Sequence, residues 1–325
     1  MTEKEIFSPL SDYDPLDIDW FWDKLIPTSM LTTMEGDPGL GKSFIAMKLA
    51  ALCSTGGTLP NGQRLPKAGA IYLSTEDDPN YTIRPRIDAM GGDPRRIRVQ
   101  SKYKPFDDEG LRLLRRDLRA HPARLVVIDP LYGFVPSEAD MYKPNEIRAF
   151  LAQLSEIAAE HETALLAIRH VRKGKSDKAI QNGIGSMDVI AVARSALLVA
   201  PHPDDPNISV LAHLKHNLSA KGDSWGYKLV TDGNSQVPKL EWTGKVDITA
   251  DQLFSSGGSG QSAIESITAS IKKKLADGPV KASVMLKSLE AEGHAERTIT
   301  RAKKDMNLRV YKKEKVWFWS LPANR

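Results

Sequence analysis

Short apolar runs alternate with amphipathic segments along the first 250 residues of the chain. Ile147, Leu151 and Leu154, for example, recur at helical spacing and belong to one apolar stripe. Alternation of strand and helix patterns is typical of a largely parallel sheet covered by helices, so we predict an α/β fold. The predicted strands are 31–34, 70–74, 97–100, 125–128 and 164–168, and the predicted helices are 43–52, 81–90, 108–120 and 144–160.

The pattern changes after Gly185, where the strand-like segments ALLVA, ISVLAHLKH, YKLVT and KLEWT follow one another closely. We expect these segments to be antiparallel strands that complete one edge of the sheet. The run SSGGSGQS follows, and a Gly/Ser composition without apolar periodicity is typical of a flexible linker. The sequence therefore predicts a first domain over residues 1–245, a linker over 246–261 and a second domain over 262–325.

The second domain shows three helical patterns joined at glycines, followed by two strand-like segments with charged residues between them. Short helices followed by a hairpin are typical of a winged helix-turn-helix, a module that binds DNA or docks proteins. Trp317 and Trp319 alternate on the last segment, so both indoles lie on one face. We expect that face to belong to the core rather than to a base-stacking surface.

Basic residues are distributed unevenly along the chain, whose formal net charge is +4. Residues 262–325 hold 14 Lys plus Arg and 7 Asp plus Glu, a net charge of +7. Residues 1–261 hold the remaining 31 and 34, a net charge of −3. Such asymmetry is typical of a basic appendage that faces nucleic acid, attached to a nearly neutral body, and it favours DNA as the ligand of the second domain.

The overall composition is that of an ordinary globular protein, with 41% hydrophobic and 26% charged residues. The single cysteine, Cys53, excludes an internal disulfide framework and a cysteine-rich zinc finger. The sequence has no apolar run near the roughly 20 residues that span a bilayer, and its first residues are acidic, unlike a signal sequence. We therefore expect a cytoplasmic protein without a membrane partner.

Residues 36–43 read GDPGLGKS and match the phosphate-loop pattern GxxxxGK[ST] completely. A strand-like segment precedes the motif and a helical segment follows it, as the motif requires, whereas a chance Gly/Pro turn would not need that context. Lys42 would reach the β and γ phosphates of a nucleotide, and the Ser43 hydroxyl would bind Mg²⁺. The predicted nucleotide-binding residues are Gly36, Asp37, Pro38, Gly39, Leu40, Gly41, Lys42, Ser43, Phe44 and Asp129.

Two acidic positions follow apolar strands and could complete this site. Asp129 ends the run RLVVID, and we interpret it as the second Mg²⁺ ligand, although an Asp before Pro is also a common turn residue. Glu76 ends IYLSTE, and we interpret it as the general base that activates the attacking water. Asp77 adds to the acidic rim, and Asp78 before Pro79 is explained equally well as a helix start.

Over about residues 15 to 245 the chain resembles RecA-type ATPases, and among them the RepA-like replicative helicases of plasmids and phages. The motifs that carry this resemblance are MEGDPGLGKS, LSTEDDP, LVVIDPLYGF, AIRHVRKGK and NGIGSMDVIAVARSALLV. It implies a RecA-like core, ATP and Mg²⁺ as cofactors, and a homo-hexameric ring that hydrolyses ATP between subunits. It also implies single-stranded DNA as the principal partner, with duplex DNA and a replication initiator or primase as further partners.

The resemblance also assigns roles to single residues. His170 stands where the family carries a residue that senses the γ phosphate. Arg194 and Lys215 stand where basic residues reach a neighbour's γ phosphate, although an ordinary surface arginine remains an alternative for Arg194. Asn217 replaces the second cation of a Lys-x-Arg pair, which weakens the assignment of Lys215. The predicted catalytic residues are Lys42, Glu76, His170, Arg194 and Lys215.

The expected DNA contacts lie in two basic segments. One is the loop after His170, which we interpret as a single-strand-binding loop, with a solvated surface loop as the alternative. The other is the third helix of the second domain, whose side chains would contact phosphates. The predicted DNA-binding residues are Arg172, Lys173, Lys175, Arg297, Thr298, Arg301 and Lys304.

The sequence leaves three functions open. The first is an ATP-driven helicase or translocase, and the second is a DNA-binding regulatory ATPase whose nucleotide state controls assembly without unwinding. The third, a strand-exchange recombinase, is less favoured because no N-terminal polymerisation segment or zinc module is evident. An aromatic run, Trp20, Phe21 and Trp22, is expected to pack on the core or at an adenine pocket.

Overall fold

The computed structural model describes residues 8–137, 139, 143–170, 188–231, 233, 236–253, 267–276, 278–292, 294, 296–314 and 316–321. These residues form two compact units, the first ending at Ala250 and the second beginning at Asp251. Of the predicted linker only 246–253 are described, and 250–253 are helical. Among the described residues no helix is long and apolar enough to cross a membrane.

The first unit contains the strands and helices expected of an α/β fold. Its strands are β1 (Trp20–Trp22), β2 (Ile26–Pro27), β3 (Leu31–Gly36), β4 (Gly69–Ser74), β5 (Ile97–Val99), β6 (Ala123–Asp129), β7 (Ala164–His170), β8 (Ser195–Pro201), β9 (Ser209–His216), β10 (Ser224–Val230) and β11 (Lys239–Val246). Its helices are α1 (Lys42–Thr55), α2 (Arg84–Ala89), α3 (Asp108–Ala120), α4 (Pro144–Glu160) and α5 (Asp188–Val192). Short helical turns, Pro79–Ile83 and Leu131–Phe134, follow β4 and β6.

Nine of these strands form one sheet in the order β11-β10-β9-β8-β3-β7-β6-β4-β5. The six strands from β8 to β5 are parallel, and β9, β10 and β11 continue the sheet as antiparallel strands. The prediction of a mostly parallel α/β core is thus confirmed. The segment ALLVA in β8 differs from the expectation, because it pairs in parallel with β3 and is antiparallel only to β9.

Apolar side chains fill both faces of the sheet. The stripe of α4, which includes Ile147, Leu151 and Leu154, is buried in a cluster that also takes side chains from α3 and β6. The opposite face packs against α1. Because β6 and β7 are covered on both sides, their sequences are mostly apolar runs rather than alternating patterns. This covering leaves the carboxyl ends of the strands as the edge where polar side chains can gather.

The N-terminal aromatic run packs on the core of the first unit. Phe21 and Trp22 are fully buried. The Trp22 ring lies 5.4 Å from that of Trp242 and 6.3 Å from that of Trp225, measured between ring centroids. Of the two expectations for this run, packing on the core therefore describes these side chains.

A buried histidine links three parts of the first unit. His213 Nδ1 accepts a hydrogen bond from the backbone N–H of Gly222 at 3.0 Å, and its Nε2 lies 3.0 Å from Ser195 Oγ. Ser195 Oγ in turn donates to the carbonyl oxygen of Leu25 at 2.6 Å. Burial first, and then the charges of His216 and Lys221, lower the pKa of His213 from 6.5 to about 4. The ring is therefore neutral in the folded protein.

This histidine should make the folded protein sensitive to acid. Its folded-state pKa lies below the unfolded value, so its contribution is complete above pH 6.5 and is lost as the pH falls towards about 4. The shift corresponds to about 3 kcal/mol in the free energy of unfolding. Urea denaturation at pH 7.5 and pH 5 should show a smaller pH effect in His213→Gln than in the wild type. The exposed His121→Gln is the control, and an equal loss in His213→Gln would contradict the prediction.

The second unit has its own core. Its helices are α6 (267–274), α7 (Ala282–Ala291) and α8 (Glu296–Asp305), and its strands are β12 (Val280–Lys281), β13 (Arg309–Lys313) and β14 (Val316–Ser320). The strands form an antiparallel sheet in the order β12-β14-β13. The predicted helices and hairpin are present, β12 was not predicted, and the assignment as a winged helix-turn-helix stays a prediction. The core side chains are Ile267, Ile271, Leu275, Met285, Leu289, Ile299, Ala302 and Trp319.

Candidate nucleotide site

The motif GDPGLGKS forms a loop between the end of β3 and the start of α1. A Cβ atom at Gly36 would come within 2.4 Å of the carbonyl oxygen of Val199 on β8, so no larger residue fits there. Gly41 precedes the helix with φ at 89°, a left-handed conformation that favours glycine. The loop therefore turns its backbone towards the N-terminus of α1, the arrangement that binds phosphate groups.

Lys42 is the first residue of α1, at the end of this loop, and is buried. Its Nζ donates hydrogen bonds to the carbonyl oxygens of Gly36 and Asp37, each at 2.8 Å. Burial lowers the pKa of Lys42 below the ordinary lysine value, and the nearby carboxylates of Asp129, Asp37 and Glu76 act in the opposite direction. The ammonium group is thus positioned inside the loop among carboxylates, where a phosphate group would be its natural counter-ion.

Asp129 ends β6 next to the loop and is also buried. Tyr72 on β4 donates its hydroxyl proton to Asp129 Oδ2 at 2.6 Å, and the Ser43 side chain lies near enough to both residues to affect their pKa values. Burial raises the pKa of Asp129, while the hydrogen bonds from Tyr72 and Ser43 lower it. A hydroxyl and a carboxylate held together are hard oxygen ligands, so Ser43 and Asp129 fit the requirements of Mg²⁺.

Glu76 lies in the turn after β4 and is exposed to solvent. The hydroxyl of Tyr132, in the helical turn after β6, donates to Glu76 Oε1 at 2.6 Å. That hydrogen bond, followed by burial and the carboxylate charge, raises the pKa of Tyr132 to about 12. The charge of Glu76 also acts on Lys42 and Asp129, so the structure brings these three predicted residues together.

The other two carboxylates of the acidic turn have local partners. Asp77 forms an ion pair with Arg86, with 3.3 Å between Oδ1 and a guanidinium nitrogen. The same guanidinium group lies over the ring of Phe44, 4.5 Å from its centroid. Asp78 accepts hydrogen bonds from the backbone N–H groups of Asn80 and Tyr81 at the start of the next helix. The interpretation of Asp78 as a helix start is therefore confirmed.

Arg194 and Lys215 lie at the opposite end of the sheet from the phosphate loop. The N–H of Arg194 donates to the carbonyl oxygen of Leu31, at the start of β3, whereas the loop follows the end of β3. Four residue steps separate Thr32 from Gly36, and at about 3.3 Å each they span roughly 13 Å. Neither side chain therefore reaches the loop of its own chain.

The two cations adjoin each other at that far end. Arg194 is exposed, and its charge contributes to lowering the pKa of Lys215, after the larger effect of burial. Lys215 Nζ donates to the carbonyl oxygens that end α5, at 2.8 Å, 2.8 Å and 3.0 Å. This helix-capping contact is a local role for Lys215 that the sequence did not indicate. The acceptors are Ile190, Ala191 and Ala193.

The structure gives the positions of His170 and of some of the predicted DNA-contacting residues. The backbone of His170 ends β7 directly beside Gly36, which places this position at the phosphate loop. Lys304 is exposed on α8, the helix that also contains Arg297, Thr298 and Arg301. Three further residues, Arg172, Lys173 and Lys175, lie outside the described residues.

Several functional contacts were missed by sequence reasoning. No role was assigned from the sequence to Tyr72, Tyr132 or Tyr227, yet each donates a hydrogen bond at the site. The Tyr227 hydroxyl, from β10, donates to the carbonyl oxygen of Leu40 in the phosphate loop at 2.5 Å. For Tyr72 the available signal was its place in an otherwise aliphatic strand, because a buried hydroxyl requires a partner.

A buried ion pair beneath the loop was also missed. Glu35 on β3 and Arg169 on β7 are paired, both are buried, and they are neighbours in the strand register. Burial raises the pKa of Glu35, and the charge of Arg169 lowers it. The next residues along these strands are Gly36 and His170. The pair therefore joins the two strand ends on which the loop and the predicted sensor depend.

Comparison with known proteins identifies the family to which this chain belongs. A family model described as an AAA domain (AAA_25) matches residues 11–176, about half of the 325-residue chain. The DNA repair protein RadA of Mycobacterium tuberculosis, in strains CDC 1551 / Oshkosh and ATCC 25618 / H37Rv, is 30% identical over 151 residues. The match covers 46% of this chain and 28% of each relative, so the chain aligns with less than a third of RadA. The phosphate loop, the parallel sheet and these matches agree, and the chain belongs to the AAA domain family as a RecA-like P-loop ATPase.

Proposed function

We propose that this protein is an ATP-dependent DNA helicase or translocase of a plasmid, phage or prophage replication system. In this proposal it forms a homo-hexameric ring and hydrolyses ATP between subunits. The observation that supports it is the separation within one sheet of the phosphate loop from Arg194 and Lys215. Cations at the end of the sheet remote from their own loop can stabilise a phosphate only in a neighbouring subunit, as a head-to-tail ring allows.

In this proposal each of the residues around the loop has its own role in ATP hydrolysis. Lys42 contacts the β and γ phosphates of ATP, and Ser43 and Asp129 hold Mg²⁺, which neutralises phosphate charge when it is bound. Glu76 accepts a proton from the attacking water. His170, whose backbone lies beside Gly36, senses the γ phosphate. Arg194, with Lys215 beside it, acts on the γ phosphate of the next subunit.

DNA is the proposed partner for two reasons. The relatives that match the chain are described as DNA repair proteins, and the second domain carries the basic excess of the sequence. In this proposal the ATPase domain covers residues 1–245, the linker 246–261 and a DNA-binding winged helix 262–325. Single-stranded DNA contacts the loop after His170, α8 contacts duplex DNA, and a replication initiator or primase is the protein partner. The proposed contacts are Arg172, Lys173, Lys175, Arg297, Thr298, Arg301 and Lys304.

A strand-displacement assay tests this function most directly. The protein is incubated with ATP, Mg²⁺ and a forked DNA whose displaced strand is labelled. We expect ATP-dependent release of the labelled strand and no release in the Lys42→Ala variant, which lacks the phosphate-contacting ammonium group. DNA-stimulated ATP hydrolysis without strand displacement or movement along DNA would contradict the proposal and favour a regulatory ATPase.

Tyr132 should act as a positioning residue for Glu76. We expect Tyr132→Phe to lower kcat about 10- to 100-fold at an unchanged KM for ATP, because it removes a hydrogen bond to a charged group. The matched control is Tyr103→Phe, which removes a hydroxyl that donates to the carbonyl oxygen of Gly133 in the same turn. In the Glu76→Gln background Tyr132→Phe should have no further effect on kcat. An additional loss in that background would contradict the role.

A further inference from the structure

The hairpin formed by β13 and β14 separates two tryptophans that the sequence places on one face. Trp319 is 3% exposed and belongs to the core of the second unit, whereas Trp317 is 53% exposed. Both belong to the same strand, two residues apart, so the face extends from the core into solvent. Trp317 therefore adds little to the packing of this unit and is available to a ligand.

Cations lie beside the exposed rings of this hairpin. Lys312 is the cross-strand partner of Trp317, and its Nζ lies 5.8 Å from the centroid of the indole. On the other face Tyr311 stacks against Phe318, with centroids 6.0 Å apart and ring planes inclined by 21°. The Arg309 guanidinium lies 5.5 Å from the Tyr311 centroid. Trp317 and Tyr311 thus each have a cation within the roughly 6 Å at which a cation is attracted to a ring.

The charge of the hairpin limits the kind of ligand it fits. Residues 309–320 read RVYKKEKVWFWS, with four cations and the single carboxylate of Glu314. An anionic partner is favoured by this charge, and flat rings favour a partner that exposes flat apolar faces. Single-stranded nucleic acid has both properties, since its phosphates pair with Lys and Arg and its unpaired bases stack on aromatic side chains. Duplex DNA fits less well because its base faces are already stacked on one another.

We propose that Trp317 and Lys312 form a base-stacking site for single-stranded nucleic acid, with Arg309, Tyr311 and Phe318 extending it on the other face. This inference rests on the proposed DNA-directed function and adds contacts to those proposed for α8 and for the loop after His170. Base stacking on an aromatic side chain contributes about 1–3 kcal/mol per base, and a lysine beside the ring pairs with the adjacent phosphate.

The test measures binding by the full-length protein without nucleotide, using fluorescence anisotropy. The probes are a labelled oligothymidine strand and a duplex of the same length. We expect Trp317→Ala to weaken binding of the single strand about 5- to 100-fold and to change duplex binding far less. Lys312→Ala should make the salt dependence of single-strand binding shallower by about 0.7 in log–log slope. Trp317→Phe, which keeps a ring, should recover part of the affinity.

Val284→Ala is the matched control, because Val284 is an apolar residue of the same unit that is 54% exposed on α7 and lies outside the hairpin. It should bind both probes as the wild type does. Single-strand binding by Trp317→Ala equal to that of the wild type would overturn this inference and leave the proposed function intact. An equal loss for both probes would overturn it in favour of a duplex-binding hairpin. A wild-type protein that binds neither probe would instead refute the DNA-directed function itself.

Discussion

Replacing Lys42 with alanine should abolish ATP turnover and weaken ATP binding strongly. The ammonium group is buried in the loop and bonded to the carbonyl oxygens of Gly36 and Asp37. It faces the carboxylates of Asp129, Asp37 and Glu76, so its removal leaves a site of negative charge around a polyanionic substrate. Phosphate release should fall below detection, and a fluorescent ATP analogue should bind only at much higher concentration.

Lys48→Ala is the matched control for this change, because Lys48 lies on the same helix α1 and burial also lowers its pKa. It lies outside the phosphate loop, so turnover should remain normal. Thermal unfolding of both variants shows whether loss of activity is separate from loss of folding. A folded Lys42→Ala protein with wild-type turnover would refute the assignment of GDPGLGKS as the catalytic phosphate loop.

The parallel core was predictable because its signals are local. The central strands β6 and β7 are mostly apolar runs, and the stripe of α4 has the helical period, so these elements follow from neighbouring residues. The loop at Gly36 was predictable for the same reason, since its glycines, lysine and serine lie within eight consecutive residues. Local patterns of this kind can be recognised without knowledge of the strand order.

The contacts that complete the site depend on the strand order and could not be predicted from local patterns. Tyr72 meets Asp129 across 57 positions of sequence, and Tyr227 meets Leu40 across 187. Periodic patterns along the sequence do not predict either contact. Both contacts depend on which strands are neighbours in the sheet or lie over the loop. The ion pair of Glu35 and Arg169 was missed in the same way, since it requires β3 beside β7.

In the second unit the alternation of side chains along β14 predicted the face on which its tryptophans lie but not which of them is buried. Period two correctly placed Trp317 and Trp319 on one face of β14. It could not show where the core ends along that face, because burial depends on the helices packed against the strand. Trp319 joins the core formed by α6, α7 and α8, and Trp317 lies beyond it. The expectation that both indoles are core is therefore correct for Trp319 and wrong for Trp317.

The charge around the phosphate loop indicates what a complete site still needs. Asp37, Glu76 and Asp129 all act on Lys42, and the nearby Arg86 is engaged by Asp77. A nucleoside triphosphate adds further negative charge. Ser43 and Asp129 carry no positive charge, so they can neutralise it only through a Mg²⁺ ion that they bind. Charge that develops on the γ phosphate during transfer is best stabilised by a further cation. Arg194 is exposed and lies at the end of the sheet remote from its own loop, and in the proposed ring the Arg194 of a neighbouring subunit supplies this charge.

Arg194→Ala should therefore bind ATP nearly normally and hydrolyse it about 10³-fold more slowly, the effect expected of an arginine that stabilises the transition state from another subunit. Glu76→Gln should also bind ATP and lose about 10²- to 10⁴-fold in turnover, because it lacks the base. Each rate is measured as phosphate release at saturating ATP. Arg119→Ala removes an exposed arginine from α3 and serves as the control, with turnover expected to equal that of the wild type.

Mixing the two inactive variants distinguishes a shared site from a site within one chain. In a random equal mixture about a quarter of the head-to-tail interfaces pair an intact Glu76 with an intact Arg194, so part of the wild-type activity should return. A monomer that uses both residues on its own nucleotide cannot be rescued, because every chain lacks one of them. Mixed rings without recovery, or a fully active wild-type monomer, would show that Arg194 does not act across a subunit interface. Recovery in proportion to the fraction of intact interfaces would instead place the hydrolytic site between two chains, in agreement with the distance along β3 that separates Arg194 from the phosphate loop.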